Sequence, residues 1–349
     1  MEINRIQLLS ELEKVQPGLS TKDTVEQSSC VAFSEGRAYT FNDEVLCSCK
    51  TSLSDVSGAV SASPLLEVLN KMPEETLDVS VDEGKFLVKG KRRRASIRME
   101  EEVTMAISSV NVPPSKDPSW KELPAGFGEA MEVVRRCVKK KEQDGFCLCC
   151  VHVSAKWMEA SDQHQAIRFP IKTGFSESVL IHGTAALHVG SMVATHYSLS
   201  DSWIHFKNIA DKELRYVMSC RRYLEEFPSE SITRILATTG EPLKLPLGIG
   251  DAAKIAQVFS KDSEYGELSI TLAPGKMKVT GEGLQGSYSE TKKIKYDGPQ
   301  IRFSIAPEIL SDIISRQDTC EISKGLLKIE GGNYQYATCL GTINEASDE

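Results

Sequence analysis

The residues of this 349-residue chain best able to do chemistry are ten cysteines and six histidines. Cys147, Cys149 and His152 come nearest to a metal-ligand set, but positions i, i+2 and i+5 on a strand do not share one face. No paired C-x-x-C knuckles appear, and Cys47 and Cys49 alternate along another strand-like run. In a reducing compartment such thiols behave as small buried hydrophobes. The segment Gly281–Gly286 carries the letters of a dinucleotide-binding loop, yet it lies between two expected strands and opens no helix. No G-x-x-x-x-G-K-[ST], H-E-x-x-H or G-x-S-x-G occurs. The reading is therefore a non-enzyme, with no metal and no cofactor.

What remains is electrostatic chemistry. Acidic residues outnumber basic ones by 49 to 41, a formal charge of −8, which argues against a uniformly basic nucleic-acid binder and leaves local charge distribution to decide. Cations concentrate in Phe127 to Glu142. There Phe127, Met131, Val134 and Val138 form one stripe at helical spacing, and Arg135, Arg136, Lys139 and Lys140 project from the other side. Such a run is either a solvated helix face with its cations near the C-terminus or a surface that faces phosphates. Lys91-Arg92-Arg93-Arg94 is equally open, as a turn at an interface or as a DNA contact.

These side chains need elements to hold them. Ser63 to Met99 reads as a short helix, with Leu65, Leu66, Leu69 and Met72 on one face, followed by strands at 77–81, 85–88 and 95–99. The pattern returns from Ala306 and, more weakly, near His182, a period of about 120 residues that suits a repeated domain. Other helices are expected at 6–15, 127–142 and 251–260, the last with Ala252, Ile255, Ala256 and Phe259 inward and Asp251 at its start. Strands are expected at 146–157, 165–171, 214–221 and 243–247 among others, and 112–118 is a proline-rich linker. The outcome is an α+β chain of three domains, 1–115, 120–225 and 226–349, each with two helices and antiparallel strands. The N-terminus is charged and no apolar run approaches the roughly 18 residues that span a bilayer, so a cytoplasmic protein without membrane contact is expected.

Together, LLSELEKVQ at the start, PLLEVLNKMPEETLDVSVDEGKFLVKGKRRRASI, MEASDQHQAI, FSIAPEILSDII and the terminal YQYATCL make the chain resemble the bacterial-type DNA polymerase III beta subunits, the ring-forming beta sliding clamps, over nearly its whole length. The resemblance implies three repeated DNA-clamp domains forming half of a six-domain ring, closed by a second copy head to tail. It also implies a processivity factor that encircles duplex DNA without sequence preference and docks DNA polymerase, an ATP-dependent clamp loader and other DNA-processing proteins. A clamp-shaped interaction hub that does not load on DNA is the alternative.

Residue roles follow from the same resemblance. Arg5, Lys14, Lys71, Arg135, Arg136, Lys139, Lys140, Lys254, Lys261 and Arg316 would line the hole and meet phosphates. Ser161, Asp162, Gln163, His164, Gln165 and Ala166 match the family's A-T-D-G-H-R-L segment in the partner-peptide pocket, with Pro228, Arg234, Ile235, Thr338 and Leu340 as the other walls. Gln163, Gln165 and Ala166 depart from that segment and the terminal Met-Pro-Met is absent. Altered peptide specificity is implied, as in a phage or a divergent bacterium. At the ring interface Arg92, Arg94, Ala95 and Ile97 would face Val258 and Phe259 of the second copy, although the family's bulky aromatic after the turn is replaced at Arg94 or Ala95.

Overall fold

A computed structural model describes every residue except 22–24, 142–144, 209–214, 264–265, 324 and 344–349, and describes Asp312, Ser315 and Arg316 by their backbone only. Seven α-helices occur among the described residues: α1 (Arg5–Val15), α2 (Ala62–Lys71), α3 (Phe127–Val134), α4 (Gly183–Ser191), α5 (Ser229–Leu236), α6 (Ile249–Ser260) and α7 (Pro307–Arg316). They pack as the pairs α1 with α2, α3 with α4 and α6 with α7. Each buries one stripe, such as Leu8, Leu12 and Val15 in α1 or Phe127, Ala130, Met131 and Val134 in α3.

Two of the helices begin by the same device. The segments PAGFGEA and PLGIGDA place Gly126 and Gly248 at φ 84° and 74°, a conformation in which a side chain would be strained. The amides of Phe127 and Ile249 then donate to the carbonyls of Pro124 and Pro246, each at 3.2 Å.

The described chain divides into two compact units. The first takes residues 1–136, 145–158 and 171–226. Its twelve-stranded antiparallel sheet runs Glu2–Asn4, Thr76–Asp82, Lys85–Lys89, Arg94–Glu100, Gly58–Ser61, Cys30–Ser34, Arg37–Phe41, Val45–Lys50, Tyr216–Arg221, Trp203–Lys207, His196–Leu199, Lys121–Glu122. The segment read as a linker is bound to this sheet: Lys207 Nζ donates to the Ser115 carbonyl at 2.6 Å and lies 4.2 Å over the Trp120 ring, and Ser198 donates to Ser119 at 2.8 Å. Met105 and Val110 bury themselves with Leu46 and Trp203. A proline-rich segment cannot extend a sheet, but it can cover one.

The second unit takes residues 137–144, 159–170 and 227–349. Strands Gln165–Pro170, Tyr334–Cys339, Leu326–Gly331, Thr319–Ser323 and Glu241–Lys244 lie side by side, and a further sheet runs Gly286–Lys293, Lys276–Gly283, Leu268–Ala273, Ile301–Ile305, Gly341–Thr342. Helix α6 rests on the latter so closely that a Cβ on Gly281 would lie 1.9 Å from the Ala256 carbonyl oxygen. The Gly281–Gly286 letters thus serve a hairpin packed on a helix.

Several expectations are corrected. The helix of 127–142 ends at Val134 and tightens into a 3-10 turn, Arg135–Cys137, so that Cys137 rather than Val138 continues the buried stripe; Glu142 lies outside the described residues. Phe146–Cys149 is a 3-10 turn that precedes the strand Cys150–Val153. The strand of 243–247 is Glu241–Lys244, and that of 214–221 is described only from Tyr216. In α6 the inward face is Ala252, Ala253, Ala256 and Ser260, small side chains that allow the close approach, and Ile255 is exposed. Eight of the ten cysteines are buried, and burial pushes the Cys47 and Cys320 thiols up to about 12. Among the described residues no three His, Cys, Asp or Glu side chains are grouped to hold a metal ion, and no helix is long and apolar enough to cross a membrane.

Candidate functional site

The cations expected on helices are not equivalent, and Arg136 falls in the 3-10 turn after α3 while Lys140 and Lys261 fall beyond the helix ends. Lys14, Arg136, Lys140, Lys254 and Lys261 are exposed. Lys71 is exposed too and pairs one helical turn back with Glu67 at 2.8 Å. Arg135 is bidentate to Glu132, at 2.7 and 2.8 Å, and Arg136 approaches the same carboxylate at 3.7 Å. Burial, and then the charge of Arg135, hold His188 of α4 below the ordinary histidine range. Arg5 is committed to structure: its Nε and Nη1 donate to the carbonyls of Glu74 and Leu69 at 2.9 and 3.0 Å, closing the C-terminal end of α2. Lys139 donates to Gln163 Oε1 at 3.2 Å and so reaches the turn expected to hold peptides. The side chain of Arg316 lies outside the described residues.

All eleven expected pocket residues fall within the second unit. They are organised by one turn. Asp162 Oδ1 accepts from the amides of His164 and Gln165 at 2.9 and 2.7 Å, which lets Gln163 sit at φ 81°. The strand that follows pairs Gln165 with Thr338 and Ala166 with Ala337, and the His164 carbonyl accepts from the Cys339 amide at 2.7 Å. Ser161 donates to the Gln165 carbonyl at 2.7 Å, and Tyr336 donates to Gln165 Oε1 at 2.6 Å. Gln163, His164, Pro228 and Arg234 are left exposed, Ile235 is half-buried, and Ser161, Ala166, Thr338 and Leu340 are buried behind them. Helix α5 packs against the strands Gln165–Pro170 and Tyr334–Cys339 that flank this turn.

Helix α5, which carries Arg234 and Ile235, is fixed at both ends by buried charges that the sequence analysis did not select. At its start Arg168 pairs with Glu159 at 2.6 Å and donates to the Ser229 carbonyl at 3.1 Å, while the Ser229 hydroxyl donates to Glu159. At its end Lys328 lies 3.3 and 3.1 Å from Glu321 and Glu330 and points Nζ at the Leu236 carbonyl. Burial lowers the Lys328 pKa, but its bonds to Glu330 and Glu321 outweigh this and the net shift is upward. A charged residue in the middle of an otherwise apolar strand, as in QAIRFP and LLKIEG, was the available signal.

Of the expected interface residues, Arg92 and Arg94 are exposed, Ala95 and Phe259 half-buried, and Val258 is 62% exposed. Ile97 points into the core at 7% exposure, because strand alternation turns it away from the face of Ser96 and Arg98.

No protein-family model matches the sequence, and no curated protein does. Solved structures match over nearly the full chain. The sliding clamp (DNA polymerase III subunit beta) of Bartonella birtlesii, bound to griselimycin, is 15% identical with a TM-score of 0.80, covering 98% of this chain and 99% of that one. The DNA polymerase sliding clamp of Bacillus subtilis gives 12% and 0.77, and the griselimycin-bound clamp of Pseudomonas aeruginosa 16% and 0.75, each with the same coverage of both chains. From end to end, the helix pairs and antiparallel sheets of this chain therefore have the fold of the bacterial DNA polymerase III beta sliding clamps.

Proposed function

We propose that this chain is a non-catalytic sliding clamp that encircles duplex DNA and tethers the replicative polymerase for processive synthesis. The observation that carries this reading is agreement of fold with clamps over nearly the whole of both chains. The three helix pairs would mark three domains, 1–115, 120–225 and 226–349, and two copies joined head to tail would make the ring. An acidic protein can hold DNA in this way because enclosure replaces affinity. Retention comes from topology, and a few exposed cations on helices or just beyond their ends, Lys14, Arg136, Lys140, Lys254 and Lys261, need supply only weak, sequence-independent phosphate contacts. Strong phosphate binding would oppose sliding. Ring opening would be done by an ATP-dependent loader, and loader, polymerase and other DNA-processing proteins would share the turn at His164.

Reversing Lys14, Arg136, Lys140 and Lys254 to Glu tests the reading in a primer-extension assay on circular template with a polymerase and loader. Product length is expected to fall to that without clamp while the mass in solution stays unchanged. Undiminished products would mean that these cations do not line the hole, whereas a wild-type chain that fails to lengthen products would favour a hub that does not enclose DNA. For the docking site, His164→Ala with Arg234→Ala is expected to weaken polymerase-peptide binding about tenfold by calorimetry.

A further inference from the structure

One sheet face in the second unit is strongly basic. In the sheet on which α6 rests, Met277 and Val279 point inward and are buried, so Lys276 and Lys278 point the other way. Register carries the cations across the strands. Lys276 stands directly opposite Lys293, and the next row runs Arg302, Thr271, Lys278, Thr291. These four charged side chains are exposed, as is Lys295 just past the strand end.

Packing within the fold does not account for this face. Among the described residues none of Lys276, Lys278, Lys293 and Lys295 makes an ion pair, whereas Lys292, on the face toward α6, pairs with Glu290 at 2.7 Å. Like charges directly opposite each other, as Lys276 and Lys293 are, destabilise a strand pair. Among the described strand residues the one carboxylate that shares the face, Glu282, lies at the hairpin end opposite Ser287. The other positions are hydroxyls, with Thr280 and Ser289 forming the row after Lys278. In a chain of formal charge −8, cations concentrated in this way at a cost to strand pairing point to a polyanion that offsets them.

We infer that this face binds the phosphates of duplex DNA outside any ring, as a contact separate from the cations of the helices. Lys276 and Lys278 lie about 6.6 Å apart along their strand, close to the separation of successive phosphates on one nucleic-acid strand. Lysines interleaved with Thr and Ser hydroxyls are the groups that meet phosphates. No aromatic side chain shares the face among the described strand residues, so the base stacking by which single strands are held is missing and the duplex is favoured. Helix α6 covers the other side of the sheet, and Lys254, exposed on α6, therefore faces away from these lysines. The contact goes beyond the ring reading because it needs no enclosure.

A fluorescent duplex of about 30 base pairs, blocked at both ends by streptavidin, cannot thread a ring, so its anisotropy with the full chain isolates this contact. Binding is expected at about 50 mM salt and should weaken about a hundredfold at about 200 mM, as the release of about four counterions requires. Lys276→Gln with Lys278→Gln is expected to cost about tenfold or more at the lower salt and to reduce the salt slope by about two. Reversal of Lys14, Arg136, Lys140 and Lys254 should leave the affinity as it is. No binding at the lower salt, binding indifferent to the two lysine substitutions, or binding lost with the helix cations instead overturns the contact and leaves the ring reading standing. Sedimentation of the lysine variant should give the wild-type mass; an altered mass would assign these lysines to assembly and overturn the proposal. Poly-glutamate that binds more tightly than the duplex at equal charge would make the partner an acidic protein segment and overturn it as well.

Discussion

The chain builds one turn twice and closes only one of them. In the first unit Asn42 Oδ1 accepts from the amides of Glu44 and Val45 at 3.1 and 2.8 Å, Asp43 sits at φ 71°, and the Glu44 carbonyl accepts from the Arg221 amide at 2.9 Å. In the second, Asp162, Gln163, His164 and Cys339 occupy the same stations with matching bonds. The difference lies in the side chain on the neighbouring strand. Arg221 turns back to bond the carbonyl and carboxylate of Asp43 and stacks 4.7 Å over Trp203, and Tyr223 donates to Glu44. Cys339 is too short to reach Gln163, Gly341 stands at the station of Tyr223, and Gln163 and His164 are both exposed. Backbone geometry is thus shared, and the side chains at the stations of Arg221 and Tyr223 differ between the tied turn and the exposed one.

The comparison can be broken most forcefully beneath the open turn. Glu159→Gln leaves Arg168 buried without its counter-charge, and a loss of about 3–5 kcal/mol is expected on chemical denaturation; a loss below about 1 kcal/mol would mean that α5 is not held by this pair. The closed region carries a pH liability of its own. His205 is fully buried, its Nδ1 2.8 Å from Ser219 Oγ, and burial holds its pKa down to about 4. The unfolded chain then binds more protons than the native one between pH 6.5 and 4, so stability is present above 6.5 and falls with pH through this window, by up to about 3 kcal/mol. Melting of wild type and His205→Gln at pH 7 and pH 4.5 should show a pH-dependent gap that narrows in the variant.

Exchanging the residue at the Arg221 station sharpens the contrast. Cys339→Arg, combined with Gln163→Asp, is expected to close the open turn and to cost about tenfold in peptide affinity, about 1.4 kcal/mol, with little change in melting temperature. Affinity that survives the exchange would place the peptide elsewhere. Smallest are the turns themselves: Asn42→Ala and Asp162→Ala each remove two hydrogen bonds to backbone amides and one more, to the Pro17 carbonyl and from Gln165 Nε2 respectively, and should cost about 1 kcal/mol apiece by denaturation, the two values agreeing if the turns are true equivalents.

Much of the fold was legible because periodicity is local. The stripes of α1, α2 and α7, the hairpins after them and the repetition of helix with strands are written within windows of ten to forty residues. The sequence reading divided Ser161–Ala166 and the other expected walls between domains 120–225 and 226–349, whereas the structure gathers them in one compact unit. The repeated PAGFGEA and PLGIGDA starts are equally local, since in each a glycine at positive φ opens the helix.

Long-range partnership was not legible. Arg5 looks like any surface cation until Leu69 and Glu74 bring their carbonyls to it, 64 and 69 positions away. Nothing near Asp43 announces Arg221, 178 residues on. The strap of 112–118 reads as a loop because its composition excludes regular structure, and only the sheet beneath explains why Met105, Val110 and Trp120 are placed as they are. Local sequence thus determined which segments are helix, strand and turn, since those preferences are settled by neighbours in the chain. Tertiary structure alone decided which charges are committed and which remain available, because a charge finds its partner by distance in space.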